Sequence, residues 1–403
     1  MDNEKDSLLR GLRVLDLADE KGSFCSKVLA DLGALVIKVE KPGGDPARNI
    51  GPFLGDSQDP NKSLSFFYNN TNKLGITLNL EHSEGREVFF RLARRFDVVV
   101  ETFPPGHLDE VDLGYEVLKE TCPGLILVSV SGFGQSGPRK SYKSCDLVAS
   151  AFGGQMYVSG SPSSSPLKMY GEQSYISASL YAAVGILLAL RQRRLTGQGD
   201  HIDISLQEAV TSTLEYVMGR YFFENIIPNR QGSLHWNHLF HVFHCKDGFI
   251  QLTLFEQWET LVEWMDGEGM AGDLKDKKWN DEEYRLRHLD HIIEVLESWT
   301  KNHTVDELIE LGQLMRFPWA PVHSPRDIRD SPQLREREFF FDINHPEIRA
   351  SIKYPRLPFR LTPPLYEARR RAPFAGEHNT RIYQEELGLS EEEFRRLSSQ
   401  GII

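Results

Sequence analysis

The sequence predicts an α/β fold in which a parallel sheet is covered on both faces by helices, joined to a smaller α+β domain. Three observations carry this. Short apolar runs alternate with amphipathic helical stretches from Leu12 to Leu206. The runs are apolar at consecutive positions rather than at alternate ones, as strands buried on both faces require. Near residue 225 the alternation gives way to a polar stretch and then to several amphipathic helices.

The elements follow in order. Leu12–Leu17 reads as a strand, Ser23–Leu32 as a helix ending near Gly33, and Leu35–Glu40 as a second strand. This strand–helix–strand unit lacks the glycine fingerprint of a dinucleotide site: Ala18-Asp19-Glu20-Lys21-Gly22-Ser23 holds a single glycine, which argues against a nicotinamide enzyme. Gly75–Leu80, Asp97–Glu101 and Leu125–Val130 are further strands, with helices at Glu84–Phe96 and Tyr115–Cys122 between them. The last of these strands runs into Ser131-Gly132-Phe133-Gly134-Gln135-Ser136-Gly137-Pro138, a glycine-rich loop where open α/β sheets place their ligands. Gly171–Leu190, rich in small and apolar residues, is a helix buried on most sides, and His201–Leu206 a strand, followed by one helix from Gln207 to about Phe223. Residues 225–324 form the second domain, with a short strand after Lys246-Asp247-Gly248 and helices at Leu286–Trp299 and Thr304–Leu311. The tail holds Pro-rich loops and a final acidic helix, Ser390–Ser398.

Composition narrows the function. The 403 residues, 40% hydrophobic and 26% charged, suffice for two moderate cores. A net charge of −12 argues against nucleic-acid and membrane-surface partners, so an anionic ligand must be met by a local basic cluster. The four cysteines are far apart and form no Cys-x-x-Cys pair, which suggests a reducing compartment. The N-terminus lacks the apolar core of a signal peptide and no apolar run reaches membrane-spanning length, so a cytoplasmic location is expected.

Two local features bear on chemistry. Glu172 stands at the mouth of the Gly171–Leu190 helix, where free N–H groups and the helix dipole can hold a carboxylate ionised, either as a cap or as a nucleophile. His235, His238, His241 and His244 recur every three residues, but that interval does not converge four imidazoles on one point, and apolar residues fill the spaces between them. They read as a structural or substrate-pocket wall, with no metal expected.

A collinear set of stretches resembles the family III CoA-transferases. Leu29-Ala30-Asp31-Leu32-Gly33-Ala34 with Leu35–Glu40, Asn72-Lys73-Leu74-Gly75-Ile76-Thr77-Leu78, Val100-Glu101-Thr102-Phe103-Pro104-Pro105-Gly106, Val128–Pro138, Asp146-Leu147, Thr196-Gly197-Gln198-Gly199 and Ala320-Pro321-Val322 carry the likeness. The resemblance implies a Rossmann-like large domain made from both chain ends (1–224 and 325–403), a small domain at 225–324, and two chains interlocked as a dimer. It implies coenzyme A or an acyl-CoA such as succinyl-CoA as substrate, with no permanently bound cofactor. Basic side chains are then needed at the CoA loops: Lys38, Lys41, Arg48, Lys73, Arg139, Lys140 and Lys143, beside Thr102, Phe103, Gly132, Phe133 and Gly134.

The family's chemistry needs a carboxylate nucleophile, and here the sequence departs from the pattern. Counting back from Ser179-Leu180-Tyr181 puts Tyr175 where the family has aspartate, and a phenol of pKa about 10 is protonated at neutral pH. Two arrangements follow: a heteromer (heterodimer or heterotetramer) whose homologous subunit carries the aspartate, or an active homodimer using Glu172. A racemase is a weaker alternative, because no His/Asp acid–base pair is placed to match. Tyr157, Tyr170, Tyr175, Trp236 and Phe240 are compatible with a bulky or aromatic acceptor acid such as benzylsuccinate.

Overall fold

The computed structural model describes residues 7–56, 58–235, 237–362 and 370–403. Two compact units emerge: the first comprises residues up to Met156, Lys168–Ile226 and Glu338–Ile403, the second Tyr157–Leu167 and Ile227–Arg337.

The first unit is built on six parallel strands: β1 (Arg13–Asp16), β2 (Leu35–Glu40), β3 (Leu74–Thr77), β4 (Val98–Glu101), β5 (Ile126–Ser131) and β6 (His201–Ser205). Their order is β3-β2-β1-β4-β5-β6, all in parallel register. The order reverses between β1 and β4, which opens a crevice at the carboxyl ends of those strands. The helices are α1 (Ser23–Asp31), α2 (Leu64–Asn69), α3 (Ser83–Ala93), α4 (His107–Glu110), α5 (Tyr115–Thr121), α6 (Asp146–Phe152), α7 (Gln155–Val158), α8 (Gln173–Thr196), α9 (Leu206–Thr211) and α10 (Glu215–Gly219). Consecutive strand residues serve opposite cores. Val14, Val36, Val98 and Val100 face α1 and α8, whereas Leu15, Ile37 and Val99 face α3, α5 and the C-terminal Ile382, Tyr383 and Ile402. That is why the strands are apolar at consecutive positions.

The outer edge of β3 is covered by the C-terminal segment, which removes an edge open to pairing. His378 N donates to Gly75 O at 2.8 Å, Gly75 N to His378 Nδ1 at 3.1 Å, and Thr77 N to Asn379 Oδ1 at 2.9 Å. Helix α8 buries Ala178, Ala182, Ala183 and Ile186, and ends at Gly197, whose φ of 75° closes it in the left-handed region. Its outer face leaves Leu180, Val184, Leu187, Leu188 and Leu195 exposed. By length and composition alone this 24-residue helix could cross a bilayer, contrary to the expectation that no apolar segment is long enough.

Two further expectations are corrected. The helix expected over Gln207–Phe223 is broken into α9 and α10. In the Thr211-Ser212-Thr213 run between them, the Ser212 and Thr213 hydroxyls donate to Ala209 O at 2.8 Å and Val210 O at 2.7 Å, local bonds that compete with helix continuation. The tail expected as Pro-rich loops contains an antiparallel hairpin, β10 (Phe340–His345) with β11 (Ala350–Pro355), before α17 (Glu391–Ser399). In the second unit β7 (Phe240–His244), β8 (Phe249–Thr253) and β9 (Ala320–Pro321) form an antiparallel sheet. It is joined by α11 (Trp258–Gly267), α12 (Glu282–Arg287), α13 (Leu289–Thr300), α14 (Val305–Leu314), α15 (Pro325–Asp330) and α16 (Pro332–Glu336), around Trp258, Trp279, Trp299 and Trp319.

Candidate functional site

The carboxyl ends of β1, β4 and β5 turn into three loops that are laced together by side chains. Asp19 N donates to Thr102 Oγ1 at 2.9 Å, and the Thr102 hydroxyl donates back to the Asp19 carboxylate at 2.7 Å. Gly22 lies so close to this contact that a Cβ would stand 2.8 Å from Thr102 Cγ2. Phe103 N donates to Glu101 Oε2 at 2.6 Å, and the Phe103 ring lies 4.8 Å from that of His107. In the glycine-rich loop, Gly132 O accepts from Gln207 N at 3.1 Å, Gly134 has φ +86°, and Gln135 N donates to both Asp203 oxygens at 3.0 and 2.9 Å. The Phe133 ring meets Tyr142 and Phe152 edge-on at 5.9 and 5.1 Å.

The mouth of α8 is a cluster of carboxylates. Glu172 is exposed and makes no capping bond to the helix, so the expected stabilisation of its ionised form is absent. Although the residue is exposed, partial desolvation of its carboxyl, reinforced by Asp146 and Glu20 and opposed by Lys168, holds its pKa above the ordinary carboxylate value. Glu20 is raised in the same way, by burial first and then by Asp19. Asp146 is buried; its Oδ1 accepts from Ser174 N at 2.9 Å and from the Ser174 hydroxyl, and Lys168 Nζ lies 2.7 Å from Oδ2. Lys168 also donates to the carbonyls of Met169 and Gly171, folding the turn that presents Glu172.

Tyr175 is buried beside this cluster. It is 5% exposed, packed in the core between α1, α8 and the sheet, and its hydroxyl accepts from Asp146 N at 3.0 Å. Burial raises its phenol well above the ordinary value, with Glu20 adding to the rise. Its hydroxyl thus caps α6, where Cys145 at the N-cap position makes no side-chain capping bond.

The basic residues divide into two groups. Lys38 is bound to the Asp45 carboxylate and Ala18 O. Arg48 forms a two-pronged pair with Glu40 at 2.7 Å and stacks over Phe66, its guanidinium 3.9 Å from the ring centre. Lys73 donates to Asp16 Oδ2 at 2.8 Å, Ser23 O at 2.9 Å and Asn70 Oδ1 at 2.9 Å, which uses all three of its N–H groups. All three cations are buried, and each faces a buried carboxylate, so the expectation that they meet CoA phosphates conflicts with their pairing. Arg139, Lys140, Lys143 and Lys41 are exposed, and none has an ion pair among the described residues. Arg139 sits 5.4 Å over the Phe152 ring, beside Phe133.

The four histidines go their own ways. His235 contacts Asn237 at 2.7 Å, His238 Gln231 at 3.3 Å, His241 Ser233 at 3.1 Å and His244 Glu297 at 2.8 Å. Of the aromatic residues expected at an entrance, Tyr170 is 99% exposed and Tyr157 is exposed, Phe240 stacks edge-on with His235, and Trp236 lies outside the described residues. Reading the sequence left Asp146, Ser174 and Lys168 without a role, because they meet Glu172 and Tyr175 only through the fold. Glu101 did carry a signal: a charged residue ending the apolar run Val98-Val99-Val100.

Comparisons with known proteins converge on one family. Residues 9–379 match the model of CoA-transferase family III. The succinyl-CoA:(R)-benzylsuccinate CoA-transferase subunit BbsE of Thauera aromatica is 35% identical over 382 residues, covering 93% of each chain. A succinyl-CoA:mesaconate CoA-transferase of Haloarcula hispanica is 33% identical, covering 94% of this chain and 96% of its own. A crystal structure of a CAIB/BAIF family protein from Brucella suis superimposes with a TM-score of 0.84 at 30% identity, covering 94% of this chain and all of that one.

Proposed function

The chain belongs to CoA-transferase family III, and from that premise we propose that it is one subunit of a heteromeric enzyme moving CoA from succinyl-CoA to a carboxylic acid, with the nucleophilic carboxylate on a homologous partner. The observation that carries this reading is Tyr175: where the family's aspartate is expected, the side chain is buried and its hydroxyl is committed to Asp146 N. The name of BbsE as a subunit supports a heteromer, and its substrate supports an aromatic acceptor such as benzylsuccinate. The exposed apolar stripe of α8, Leu180, Val184, Leu187 and Leu188, is the kind of surface a partner chain covers, as in the interlocked dimer expected from the family.

In the reaction, a carboxylate attacks the donor thioester carbonyl; the C–S bond breaks and the acyl group becomes a mixed anhydride while CoA leaves as thiolate. The thiolate then attacks the carbonyl carbon of the enzyme carboxyl, releasing the donor acid and leaving an enzyme thioester. The acceptor carboxylate attacks that thioester, forming a second anhydride, and the released thiolate captures the acceptor acyl group. Backbone N–H groups stabilise each oxyanion, and water must be excluded throughout. In this chain CoA lies on the loops carrying Thr102, Phe103, Gly132, Phe133 and Gly134, with Arg139 and Lys143 toward its phosphates. Lys38, Arg48 and Lys73 brace the strands beneath. The CoA-binding part is taken as 1–224 with 325–403 and the small domain as 225–324, apart from Tyr157–Leu167 and residues 325–337, which belong to the second compact unit.

A second reading is favoured by one observation: Glu172 is an exposed carboxyl at the mouth of α8, available to act within a homodimer. Purification from the native source with mass spectrometry of co-purifying chains, followed by an assay of the isolated chain, separates the two. A heteromer gives a homologous second chain and an inactive isolated subunit; a normal rate from this chain alone overturns that reading. Hydroxylamine trapping after acyl-CoA addition labels Glu172 only in the homodimer.

A further inference from the structure

Below the loop after β4 runs a buried chain of polar groups that the family chemistry does not use. Phe103 N donates to Glu101 Oε2 at 2.6 Å, Ser129 stands beside Glu101 on the neighbouring strand, and Ser129 Oγ lies 2.9 Å from His201 Nε2 on the strand beyond. The parallel register places Glu101 directly beside Ser129. Glu101 and Ser129 are 3% and 2% exposed, so this is a sealed relay from the half-buried His201 ring to a loop N–H.

We propose that Glu101, backed by Ser129 and His201, is a positioning residue for CoA binding: it fixes the 102–106 loop through the Phe103 N–H and makes the loop's hold on CoA depend on proton occupancy of the relay. This rests on the reading that the 102–106 loop contacts CoA.

Acidic groups stand around the relay. Glu101 faces Asp19 from the loop after β1 and Asp203 from β6. His201 faces Asp203 on its own strand, Asp200 just before it, Asp109 of α4, and Glu116 of α5, and it stacks on Tyr115 at 5.4 Å. Burial pushes the Glu101 carboxyl up to about 7, Ser129 and the Phe103 N–H pulling it back and the two aspartates adding to the rise. Burial likewise holds His201 below its ordinary value. Glu101 thus changes charge within the neutral range. When ionised it accepts a charge-assisted bond from Phe103 N, about twice as strong as a neutral one; when protonated it holds the loop less firmly.

The test is titration of the 403-residue chain, with any subunit that co-purifies, against CoA at pH 6, 7 and 8. Wild type is expected to bind about fivefold more weakly at pH 6 than at pH 8. E101Q keeps an acceptor for Phe103 N but no titrating group, and is expected to bind at every pH as wild type does at pH 6. The titration of the CoA phosphates enters both proteins equally and cancels between them. E101A is expected to lose about tenfold at pH 8, provided its circular dichroism matches wild type; if it misfolds, E101Q alone decides. A pH dependence in E101Q equal to that of wild type overturns the relay. Absence of CoA binding by wild type at any pH overturns the CoA reading of this loop as well.

Discussion

Replacing Tyr175 by phenylalanine removes a single hydroxyl and asks whether this residue holds the structure or serves the reaction. The hydroxyl accepts the Asp146 N–H at 3.0 Å, in a site where Tyr175 is 5% exposed and water cannot take its place. No other side chain caps α6, and the Asp146 carboxylate is committed to Ser174 and Lys168. A buried N–H left without a partner costs about 1–3 kcal/mol, and because Phe keeps the ring packing no cavity adds to it. For a unit of this size that corresponds to a fall in Tm of about 2–4 °C per kcal/mol. Far-UV circular dichroism is the suitable probe, because all six tryptophans lie between Trp236 and Trp319 and their fluorescence reports on the second unit. Activity of the assembled enzyme at saturating acyl-CoA should be unchanged. Tyr175→Asp should be far worse, since it places a carboxylate in an apolar core near Asp146, Glu20 and Glu172, a burial worth several kcal/mol. An unshifted melt in Tyr175→Phe, or a stable Tyr175→Asp with transferase activity, would refute a capping role.

Other outcomes follow from the same geometry. Lys73→Met strips the cation from buried Asp16 and should cost about 3–5 kcal/mol in urea titration, a loss of stability rather than of CoA affinity. Reversing Arg139 and Lys143 together to glutamate should weaken CoA binding about tenfold, most strongly at low salt, while moving stability by no more than about 0.5 kcal/mol because both are exposed. His378 must stay unprotonated at Nδ1 to accept Gly75 N–H, and burial holds its pKa below the ordinary value. Its contribution is full above the unfolded value of about 6.5 and is lost as pH falls through it, so urea midpoints should drop between pH 7.5 and 5.5 and drop less in His378→Asn.

How far the sequence could be read depended on the range of the interactions involved. The inner strands were legible because burial on both faces leaves a local mark, consecutive apolar residues such as Val98-Val99-Val100, whereas the edge strand β6 shows alternation, His201-Ile202-Asp203-Ile204. The break between α9 and α10 is marked by three hydroxyl residues in a row, Thr211-Ser212-Thr213, within an apolar pattern that by itself favours one continuous helix. The hairpin Phe340–Pro355 was hidden because its polar alternation resembles an exposed loop. For the candidate site the limits are different. That Lys38 and Arg48 are paired could be suspected from Asp45 and Glu40 nearby in sequence, but Lys73 meets Asp16 across 57 residues and Tyr175 meets Asp146 across 29. No spacing rule encodes such contacts; they exist only once the sheet order is set.

The pairing of the buried cations also decides where an anionic ligand can go. Lys38, Arg48 and Lys73 face Asp45, Glu40 and Asp16, three charges against three, so this interior adds no net positive potential at the crevice. The carboxylates there, Asp19, Glu20, Glu101 and Asp203, add negative charge beneath the loops, with burial holding Glu20 and Glu101 above the ordinary carboxylate value. In a chain of net charge −12, attraction for a polyphosphate must then come from the rim, where Arg139, Lys140 and Lys143 stand exposed beside the rings of Phe133, Tyr142 and Phe152. Guanidinium and aromatic rings together suit a ligand carrying both phosphates and a flat base. The N–H groups of Phe103 and Gln135 are spent on the carboxylates of Glu101 and Asp203, which fix the two loops in place. Acidic residues beneath an anion site are thus consistent with binding: they hold the loops in place while the cations that attract the ligand stay at the edge.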